Sequence, residues 1–420
     1  MKLWPLACLS VAAVGLFWHS GDPPDEWTVL IAGDMDGYLS PCGCTKPMTG
    51  GIRRLATAVK EMGPAGRTAF LVNGGLVSGQ TRQDELKAET LAESLGIMGA
   101  AAINLSPSEA KLGSGLVASM DSLSGGKLIC TSLEDSGGIR PAELARVGPF
   151  VVGGVVEHPE AVSKPLRGKP RSVDEAVRFL VEAARESHGV PLLLLNGSLA
   201  EAKAIAANHT ELALIVYSAA GDPPPTPVRV GSCVLLTSGE FSKHVIRVHW
   251  RDGRIVDYAS VSLGEDYAND PPVSTCYRFY LSRVDREGLL DQEPRLPTAA
   301  FAGSAKCAPC HAQAYALWKA SGHAHALKDL EAEGESRDPD CVRCHVTGLD
   351  STVGFVSRVR TPALADVGCE ACHGPGAKHV ADPGAAKLPK VHRTACARCH
   401  DLGHSPGFVF PNFWRRISHR

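Results

Sequence analysis

The chain has 420 residues, a globular composition and a formal net charge of −2. This length exceeds one ordinary hydrophobic core and predicts two or three domains. The near-neutral charge excludes binding through a broadly basic surface, so no nucleic-acid partner is expected. Ten of the 16 histidines and eight of the 14 cysteines follow residue 300, which indicates a specialised chemistry in the last part of the chain.

Residues 1–20 begin with Met1-Lys2 and run apolar from Leu3 to Trp18. A short basic start before an apolar run too brief for a comfortable membrane span is typical of a secretory signal peptide. No small-x-small cleavage site follows, so an uncleaved N-terminal membrane anchor also fits, and a buried helix of the fold is the third interpretation. Either export signal predicts a periplasmic or exported protein in an oxidising compartment.

The next segment, 27–290, is predicted to be an α/β domain. Short apolar runs, typical of buried strands, occur at 28–33, 69–74, 101–105, 127–132, 191–197 and 212–218. Residues 83–98 and 172–187 carry helical periodicity between them. Alternation of strands and helices is the pattern of an α/β fold.

The pattern changes after the proline-rich residues 221–227. Residues 232–239 and 244–261 indicate antiparallel strands, with Asp252-Gly253 as a hairpin turn. A helix is predicted over 273–290. Residues 291–300 read as a linker to a C-terminal domain over 301–420, where strand signals nearly vanish.

The C-terminal domain repeats one short motif. Its four copies are CAPCH (307–311), CVRCH (341–345), CEACH (369–373) and CARCH (396–400). The cysteines are Cys307, Cys310, Cys341, Cys344, Cys369, Cys372, Cys396 and Cys399, and the adjoining histidines are His311, His345, His373 and His400. Zinc sites and disulfides also use paired cysteines, but neither needs a histidine directly after the second one. The motif is that of c-type haem attachment, in which two cysteines form thioethers and the histidine binds iron, so four haems are predicted.

The second axial ligand of each iron is expected to be histidine or absent, because no methionine follows Met120. The remaining histidines of the region are His323, His325, His379, His392, His404 and His419. Four of them are needed if every iron is six-coordinate. Bis-histidine ligation predicts lower reduction potentials than methionine–histidine ligation.

His323 and His325 lie two positions apart in a predicted helix and therefore face different ways. We expect His323, on the face of Leu327 and Leu330, to be a ligand. His325 is interpreted as a solvated or outer residue and His392 as a surface residue.

Residues 301–420 are similar to the tetrahaem cytochromes typified by the hydroxylamine-pathway cytochrome of nitrifying bacteria. The similarity lies in WKASGHAHAL, CVRCHVTG, CEACHGPGAKH and CHDLGHSPGFVFPNFW. It implies a mostly helical domain with closely stacked haems, electron transfer, and one iron that is sometimes five-coordinate. It also implies His323, His379, His404 and His419 as distal ligands.

The segment IAGDMDGYLSPCGCTKPMTGGIRRLAT (31–57) resembles the start of a 5′-nucleotidase-like metallophosphoesterase. The resemblance implies two β-sheets flanked by helices, with a dinuclear metal site on the strand-end loops. Asp34 matches the family, but Asp36 replaces a histidine ligand and Gly75 replaces a bridging aspartate. Asn196-Gly197 stands where a histidine is expected, and the later Asn-His and Gly-His-x-His motifs are missing. A non-catalytic domain is therefore predicted.

Cys42-Gly43-Cys44 has three open interpretations: a metal site with Asp34 and Asp36, a disulfide with another cysteine, or a plain loop. The cysteines Cys130, Cys233 and Cys276 lie in apolar segments and are expected in the core.

Together these patterns favour an exported electron carrier over a catalyst. The expected partners are redox proteins, such as a membrane quinol-linked protein or another multihaem cytochrome. Two rival functions remain: a haem oxidoreductase acting on a small nitrogen species at a five-coordinate iron, and a phosphoesterase with an appended redox domain.

Overall fold

The structure is a computed structural model that describes residues 26–41, 47–134, 141–401, 403–405 and 407–419. The predicted signal peptide or anchor, and Cys42 and Cys44, lie outside the described residues. Across the part that is described, no helix combines the length and apolar character needed to cross a membrane.

Among the residues that the structure describes, the strands all lie in the N-terminal part. They are β1 (Glu26–Ala32), β2 (Thr68–Val72), β3 (Ala102–Asn104), β4 (Leu128–Ile129), β5 (Leu133–Glu134), β6 (Leu144–Val147), β7 (Phe150–Val156), β8 (Lys169–Pro170), β9 (Val190–Asn196), β10 (Leu214–Tyr217), β11 (Val228–Val230), β12 (Cys233–Leu236), β13 (His244–Arg251) and β14 (Arg254–Ser262). One sheet has the order β14-β13-β1-β2-β3-β4 and the other β11-β12-β10-β9-β7-β6, while β5 pairs with β8. In the first sheet, β1 to β4 are parallel, and β13 runs antiparallel to both β1 and β14.

The helices of the same part are α1 (Ile52–Met62), α2 (Arg82–Ile97), α3 (Pro107–Lys111), α4 (Ser114–Leu123), α5 (Glu160–Leu166), α6 (Val173–Glu186), α7 (Leu199–Asn208), α8 (Pro271–Arg286) and α9 (Leu289–Gln292). The two sheets pack face to face. Successive side chains of β1 point to opposite faces of its sheet and show both sides of this packing. Val29 and Ile31 join Leu192 and Leu194 of β9 between the sheets. Leu30 and its neighbours on the other face join the cluster that contains the buried residues of α1 and α2. Apolar side chains on both faces explain why the strands read as continuous apolar runs.

The predicted fold class is confirmed: the N-terminal part is an α/β sandwich of two sheets flanked by helices. Cys130, Cys233 and Cys276 are buried in it, as their apolar segments predict. Two buried amides tie the sheets together. The Asn73 side chain donates to the Leu195 carbonyl at 3.0 Å, and that of Asn104 donates to the Leu194 carbonyl at 3.2 Å.

The C-terminal part is helical. Its α-helices are α10 (Ala312–Lys319), α11 (Ala326–Glu333), α12 (Pro339–His345), α13 (Cys369–His373), α14 (Ala377–Ala381), α15 (Arg393–Ala397) and α16 (Phe410–Ile417), with 3₁₀ helices at Ser304–Lys306, Gly322–His325 and Pro362–Leu364. A small apolar core joins Leu327, Leu330 and Val342 to Leu290 of α9. Helices α10, α14, α15 and α16 have no buried residue, so this protein core alone does not explain their packing.

Residues 291–300, predicted as a linker, lie against the segment that follows α12. The Arg295 guanidinium donates to the Phe355 carbonyl at 2.6 Å, and the Leu296 amide donates to the Asp350 carbonyl at 2.8 Å. The segment is therefore held along the C-terminal part by side-chain and backbone hydrogen bonds.

Candidate haem site

A cavity of about 1570 Å³ lies among the C-terminal helices. This volume exceeds the roughly 300–1,000 Å³ of a pocket for one small ligand. The cavity is lined by all eight motif cysteines and by the histidine of each motif. It is also lined by His323, His379, His404 and His419, whereas His325 and His392 are exposed and lie outside the lining.

Local structure brings each motif to this cavity. The second motif ends α12, whose N-cap is Asp338, and the third motif forms α13. The first motif turns into α10, and the His311 amide donates to the Cys307 carbonyl at 2.9 Å. The fourth motif begins in the last turn of α15, and its His400 amide likewise donates to the Cys396 carbonyl at 2.9 Å. Since residues three apart share a helix face, each turn places its two cysteines together.

Three pairs of histidines face each other, and each pair contains one motif histidine. The ring centres of His311 and His379 are 6.1 Å apart, and those of His323 and His400 are 6.2 Å apart. The ring centres of His373 and His419 are 5.8 Å apart. Metal ions bind imidazole nitrogen at about 2 Å, so two imidazoles on opposite sides of one ion have ring centres roughly 6 Å apart. The three pairs have the separation that shared ligation of iron requires.

A second feature of these histidines is the partner of the Nδ1 atom. The Nδ1 atoms of His345, His373, His379 and His419 lie 2.6–3.3 Å from backbone carbonyl oxygens. The Nδ1 atom of His400 lies 2.9 Å from the Ser405 hydroxyl. A carbonyl can only accept, so Nδ1 carries the proton and Nε2 keeps its lone pair for a metal.

Burial favours the neutral form of two of these rings. It lowers the pKa of His323, and the neighbouring His400 and His345 lower it further. Burial also lowers the pKa of His373. A neutral imidazole is the form that binds a metal, so both side chains are poised as ligands near neutral pH.

The cysteines show which motifs are neighbours. Burial and a hydrogen bond with Cys369 raise the pKa of Cys307 to about 11, which joins the first and third motifs. A hydrogen bond with Cys344 lowers the pKa of Cys399 to about 7, which joins the second and fourth. Cys372 interacts electrostatically with Cys399, which joins the third and fourth. The motifs are thus adjacent in the order first, third, fourth, second.

The residues present fit c-type haem. Paired thiols beside a motif histidine, facing histidines at iron-bridging separation and one large cavity are the requirements of several covalently attached haems. Aromatic side chains of α16 and of the residues just before it fit as well. Phe408, Phe413 and Trp414 line the cavity, and the Phe408 ring stacks on His400 with centres 4.6 Å apart.

The basis of the His323 prediction needs a correction. The sequence predicted one continuous helix through both histidines, but α10 ends at Lys319 and a 3₁₀ turn carries His323 and His325 before α11 begins. A glycine at 322 and polar neighbours explain the break, because neither favours a helix interior. The turn still separates the two side chains: His323 lines the cavity and His325 is exposed.

His404 has different neighbours from the other three predicted distal ligands. Its Nδ1 atom lies 2.9 Å from a carboxylate oxygen of Asp401, and its ring centre is 6.4 Å from that of Tyr38. Tyr38 belongs to the N-terminal part, so His404 lies where the two parts of the chain meet. His404 lines the same cavity as His345 of the second motif.

Sequence reasoning missed the contribution of the N-terminal part to this cavity. Tyr38, Met48, Arg53 and Lys87 all line it. No methionine follows Met120 in the sequence, but folding brings Met48 to the cavity. These residues follow no local motif, so a single sequence offers no signal for them.

The predicted remnant of a phosphoesterase site lies at one edge of the sandwich. Asp34 follows β1, Gly75 follows β2, Asn196 ends β9 and Ser218 follows β10. In α/β folds, ligand sites commonly lie at the carboxyl ends of parallel strands, which is where these four residues lie. Among the described residues, no group of three or more histidine, cysteine, aspartate or glutamate side chains is arranged to hold a metal ion.

Side chains at this edge of the sandwich are hydrogen-bonded to one another. The Asn73 amide donates to the Ser218 hydroxyl at 3.3 Å, and that hydroxyl donates to Asp34 Oδ1 at 3.0 Å. Burial raises the pKa of Asp34 to about 7, with smaller effects from Ser218, Asp36 and other carboxylates. Asp34 Oδ2 is buried without a hydrogen-bond partner. The Asp34 carboxyl therefore keeps its proton to a higher pH than an exposed aspartate does.

Comparison with known families agrees with the geometry of the cavity. Residues 306–374 match the family described as cytochrome c554 and c-prime. Cytochrome c-554 of Nitrosomonas europaea is 37% identical over an alignment of 93 residues, which covers 19% of this chain and 40% of that protein. The C-terminal part is therefore similar to multihaem c-type cytochromes, and the match implies covalently bound c-type haem with iron.

Solved structures match the N-terminal part. A 5′-nucleotidase precursor of Thermus thermophilus superposes with a TM-score of 0.54 at 17% identity, covering 66% of this chain and 61% of that one. The NAD nucleotidase of Haemophilus influenzae gives 0.52 at 14% identity, covering 68% and 65%. At these identities the likeness concerns the fold alone. The predicted combination of a 5′-nucleotidase-like fold with a cytochrome c554-like segment is confirmed.

Proposed function

We propose that this protein is an exported multihaem c-type cytochrome that carries electrons through four covalently bound haems. The observation that carries the proposal is the set of three facing histidine pairs around a cavity lined by all four motifs. The family match supports c-type haem, and the number four comes from the motifs. Haem iron supplies a centre that takes up and releases one electron.

The chain's own residues hold these groups in defined roles. Each motif supplies two thioether cysteines and one histidine ligand. Opposite them we assign His379 to the haem of His311, His323 to that of His400, and His419 to that of His373. His404 is the fourth distal residue of the proposal, and it lies beside Tyr38 in the lining of the cavity.

Adjacency of the motifs supports a route for electrons. The cysteine contacts join the first motif to the third, the third to the fourth and the fourth to the second. The residues of the first and second motifs would hold the two end haems of this row, and the haems would supply the one-electron centres along it. We expect redox proteins, such as a quinol-linked membrane protein or another multihaem cytochrome, to dock near these ends.

The N-terminal domain serves as a non-catalytic scaffold in this proposal. Its strand edge has the position of a phosphoesterase site, but Gly75 and Asn196 stand where metal ligands are expected. An N-terminal signal peptide or anchor would deliver the chain to the periplasm. The periplasm is an oxidising compartment, and c-type haem attachment is compatible with it.

A coulometric titration of the purified full chain tests the carrier function. We expect four electrons to be taken up and returned per chain, with no turnover when hydroxylamine, nitrite or nitric oxide is added. Steady consumption of one of these nitrogen compounds would favour the oxidoreductase rival. Fewer than four electrons would contradict the tetrahaem proposal.

A further inference from the structure

The second motif is held in place by the N-terminal domain. Asp338, the N-cap of α12, is only 4% exposed. Its carboxylate accepts hydrogen bonds from Gln83 Nε2 at 2.7 Å and from the Tyr280 hydroxyl at 2.8 Å. Gln83 and Tyr280 belong to α2 and α8 and also bond to each other at 2.9 Å. The start of the helix that carries Cys341–His345 is thus fixed by two buried groups from another domain.

An ion pair reinforces this contact one turn along α2. The Lys87 ammonium pairs with the Asp340 carboxylate, and the Lys87 side chain is 12% exposed. Burial alone would lower the pKa of Lys87, but Asp340 and Asp338 raise it above its ordinary value. Burial opposes ionisation of Asp340, yet Lys87 lowers the pKa of that carboxyl overall. Both members of the pair are therefore charged at neutral pH.

The Lys87 side chain is confined by the loop that follows β1. A Cβ atom at Gly37 would lie 3.0 Å from Lys87 Cδ, and Gly37 has a φ of 76°. A larger residue there would both strain the backbone and displace the lysine. Lys87 also lines the cavity together with Cys341, Cys344 and His345. Its charge is therefore fixed at the wall of the cavity beside the second motif.

Other ion pairs across the boundary are more exposed. Arg337 pairs with Asp285 and Asp291, and Arg343 pairs with Glu293, and these five side chains are 24–60% exposed. Solvent weakens such surface pairs, which typically contribute about 0–1 kcal/mol. Asp338 is 4% exposed and the Lys87 side chain is 12% exposed, so these two groups are better shielded from solvent than the five side chains of the surface pairs.

We propose that the N-terminal domain is a working part of the second haem site, and that Lys87 acts there as a positioning residue whose charge raises the reduction potential of that haem. This inference rests on the proposed function, because it requires haem at Cys341 and Cys344. A fixed positive charge stabilises a centre that gains an electron, and net charge near a redox centre sets its potential. The degenerate phosphoesterase fold thereby contributes to electron transfer without catalysing a reaction.

Potentiometric titration of the full-length, haem-loaded chain tests the proposal through two charge changes of opposite sign. In Lys87→Met, one of the four midpoint potentials should fall while the other three stay fixed. In Asp340→Asn, the same midpoint should rise. Lys87→Arg keeps the charge and should keep the midpoint. Lys169→Met is the matched control, because it removes the same charge from an ion pair with Glu134 that does not line the cavity.

Unchanged potentials in both Lys87→Met and Asp340→Asn would overturn the inference, as would equal shifts of all four haems. Mass analysis of peptides cleaved on the N-terminal side of aspartate, which yields residues 340–349 with both motif cysteines, separates this failure from that of the proposed function. If the peptide with Cys341 and Cys344 lacks haem in the wild-type protein, the proposed function fails. If haem is attached there but its reduction potential does not change in Lys87→Met or in Asp340→Asn, the inference alone fails.

Discussion

His419, one residue from the end of the chain, faces His373 of the third motif with ring centres 5.8 Å apart. The backbone carbonyl of Ile417 accepts from His419 Nδ1 at 2.9 Å, and the carbonyl of Pro389 lies 3.3 Å from His373 Nδ1. These carbonyl contacts leave the Nε2 lone pair of both rings available for a metal, so we propose that the C-terminal tail supplies a haem ligand.

Removal of His419 should leave one iron five-coordinate. In His419→Ala we expect one haem of four to give a high-spin signal by electron paramagnetic resonance, because its distal ligand is lost. His392→Ala removes an exposed histidine that does not line the cavity and should leave the spectrum unchanged. An unaltered spectrum in His419→Ala would mean that another group binds the third haem.

The same test applies to the two histidines of the 3₁₀ turn. His323→Ala should create one high-spin iron at the haem of His400, since the ring centres of these histidines are 6.2 Å apart. His325→Ala should not, because His325 is exposed. The opposite pattern would show that the turn presents the other side chain to iron.

Asp34 should make stability depend on pH. Burial raises its pKa to about 7 from 3.8, so the folded state binds a proton that the unfolded state releases between these values. The associated stability is complete below about pH 4 and is lost as pH rises from there to about 7, by roughly 4 kcal/mol at most. In Asp34→Asn, denaturant unfolding followed by circular dichroism should lose this decline.

The exposed Asp266 provides the control for that measurement. Asp266→Asn should retain the wild-type slope of unfolding free energy against pH. An Asp34→Asn variant with the same slope as the wild type would show that another carboxyl causes the decline.

Restoring the missing bridging aspartate should not restore a phosphoesterase. Gly75 has a φ of 63°, and a Cβ there would lie 2.8 Å from Asp34 Oδ1. Gly75→Asp should therefore destabilise the domain by roughly 2–4 kcal/mol, from left-handed backbone strain and crowding of two carboxyl groups. Hydrolysis of a chromogenic phosphate ester with Mn²⁺ or Zn²⁺ should remain at background.

Gly66→Asp separates the two causes. Gly66 has a φ of 79°, but a Cβ there would meet nothing within 4 Å. Gly66→Asp should therefore lose stability from left-handed backbone strain but not from crowding. Its free energy of unfolding should fall less than that of Gly75→Asp. Metal-dependent hydrolysis by wild type or Gly75→Asp that vanishes on Asp34→Ala would contradict the non-catalytic assignment.

Much of the sandwich could be predicted because its strands are apolar on both faces. Runs such as 28–33 and 191–197 correspond closely to β1 and β9. Strand β7 was not predicted, and its adjacent glycines explain why. A Cβ at Gly153 would lie 2.9 Å from Leu180, and one at Gly154 would lie 3.0 Å from Ile129, so close packing there requires glycine, which is rare inside strands.

The part of the candidate site that could be predicted is the part in which covalent haem attachment fixes the sequence spacing of cysteine and histidine. The C-x-x-C-H pattern specifies haem attachment locally, whereas the pairing of His379 with His311 depends on how distant segments fold together. The contacts of Gln83 and Lys87 with the second motif arise between two domains, and no local pattern marks them. Tertiary structure therefore supplies the ligand pairing and the domain boundary.

Intact-mass analysis of the full chain, produced with the haem-maturation machinery, tests the central claim most directly. We expect the mass of the polypeptide, with or without its first segment, plus four haems, and no loss of haem on acid–acetone extraction, because each haem is held by two thioethers. Extractable haem, fewer than four additions, or zinc in place of iron would contradict the account.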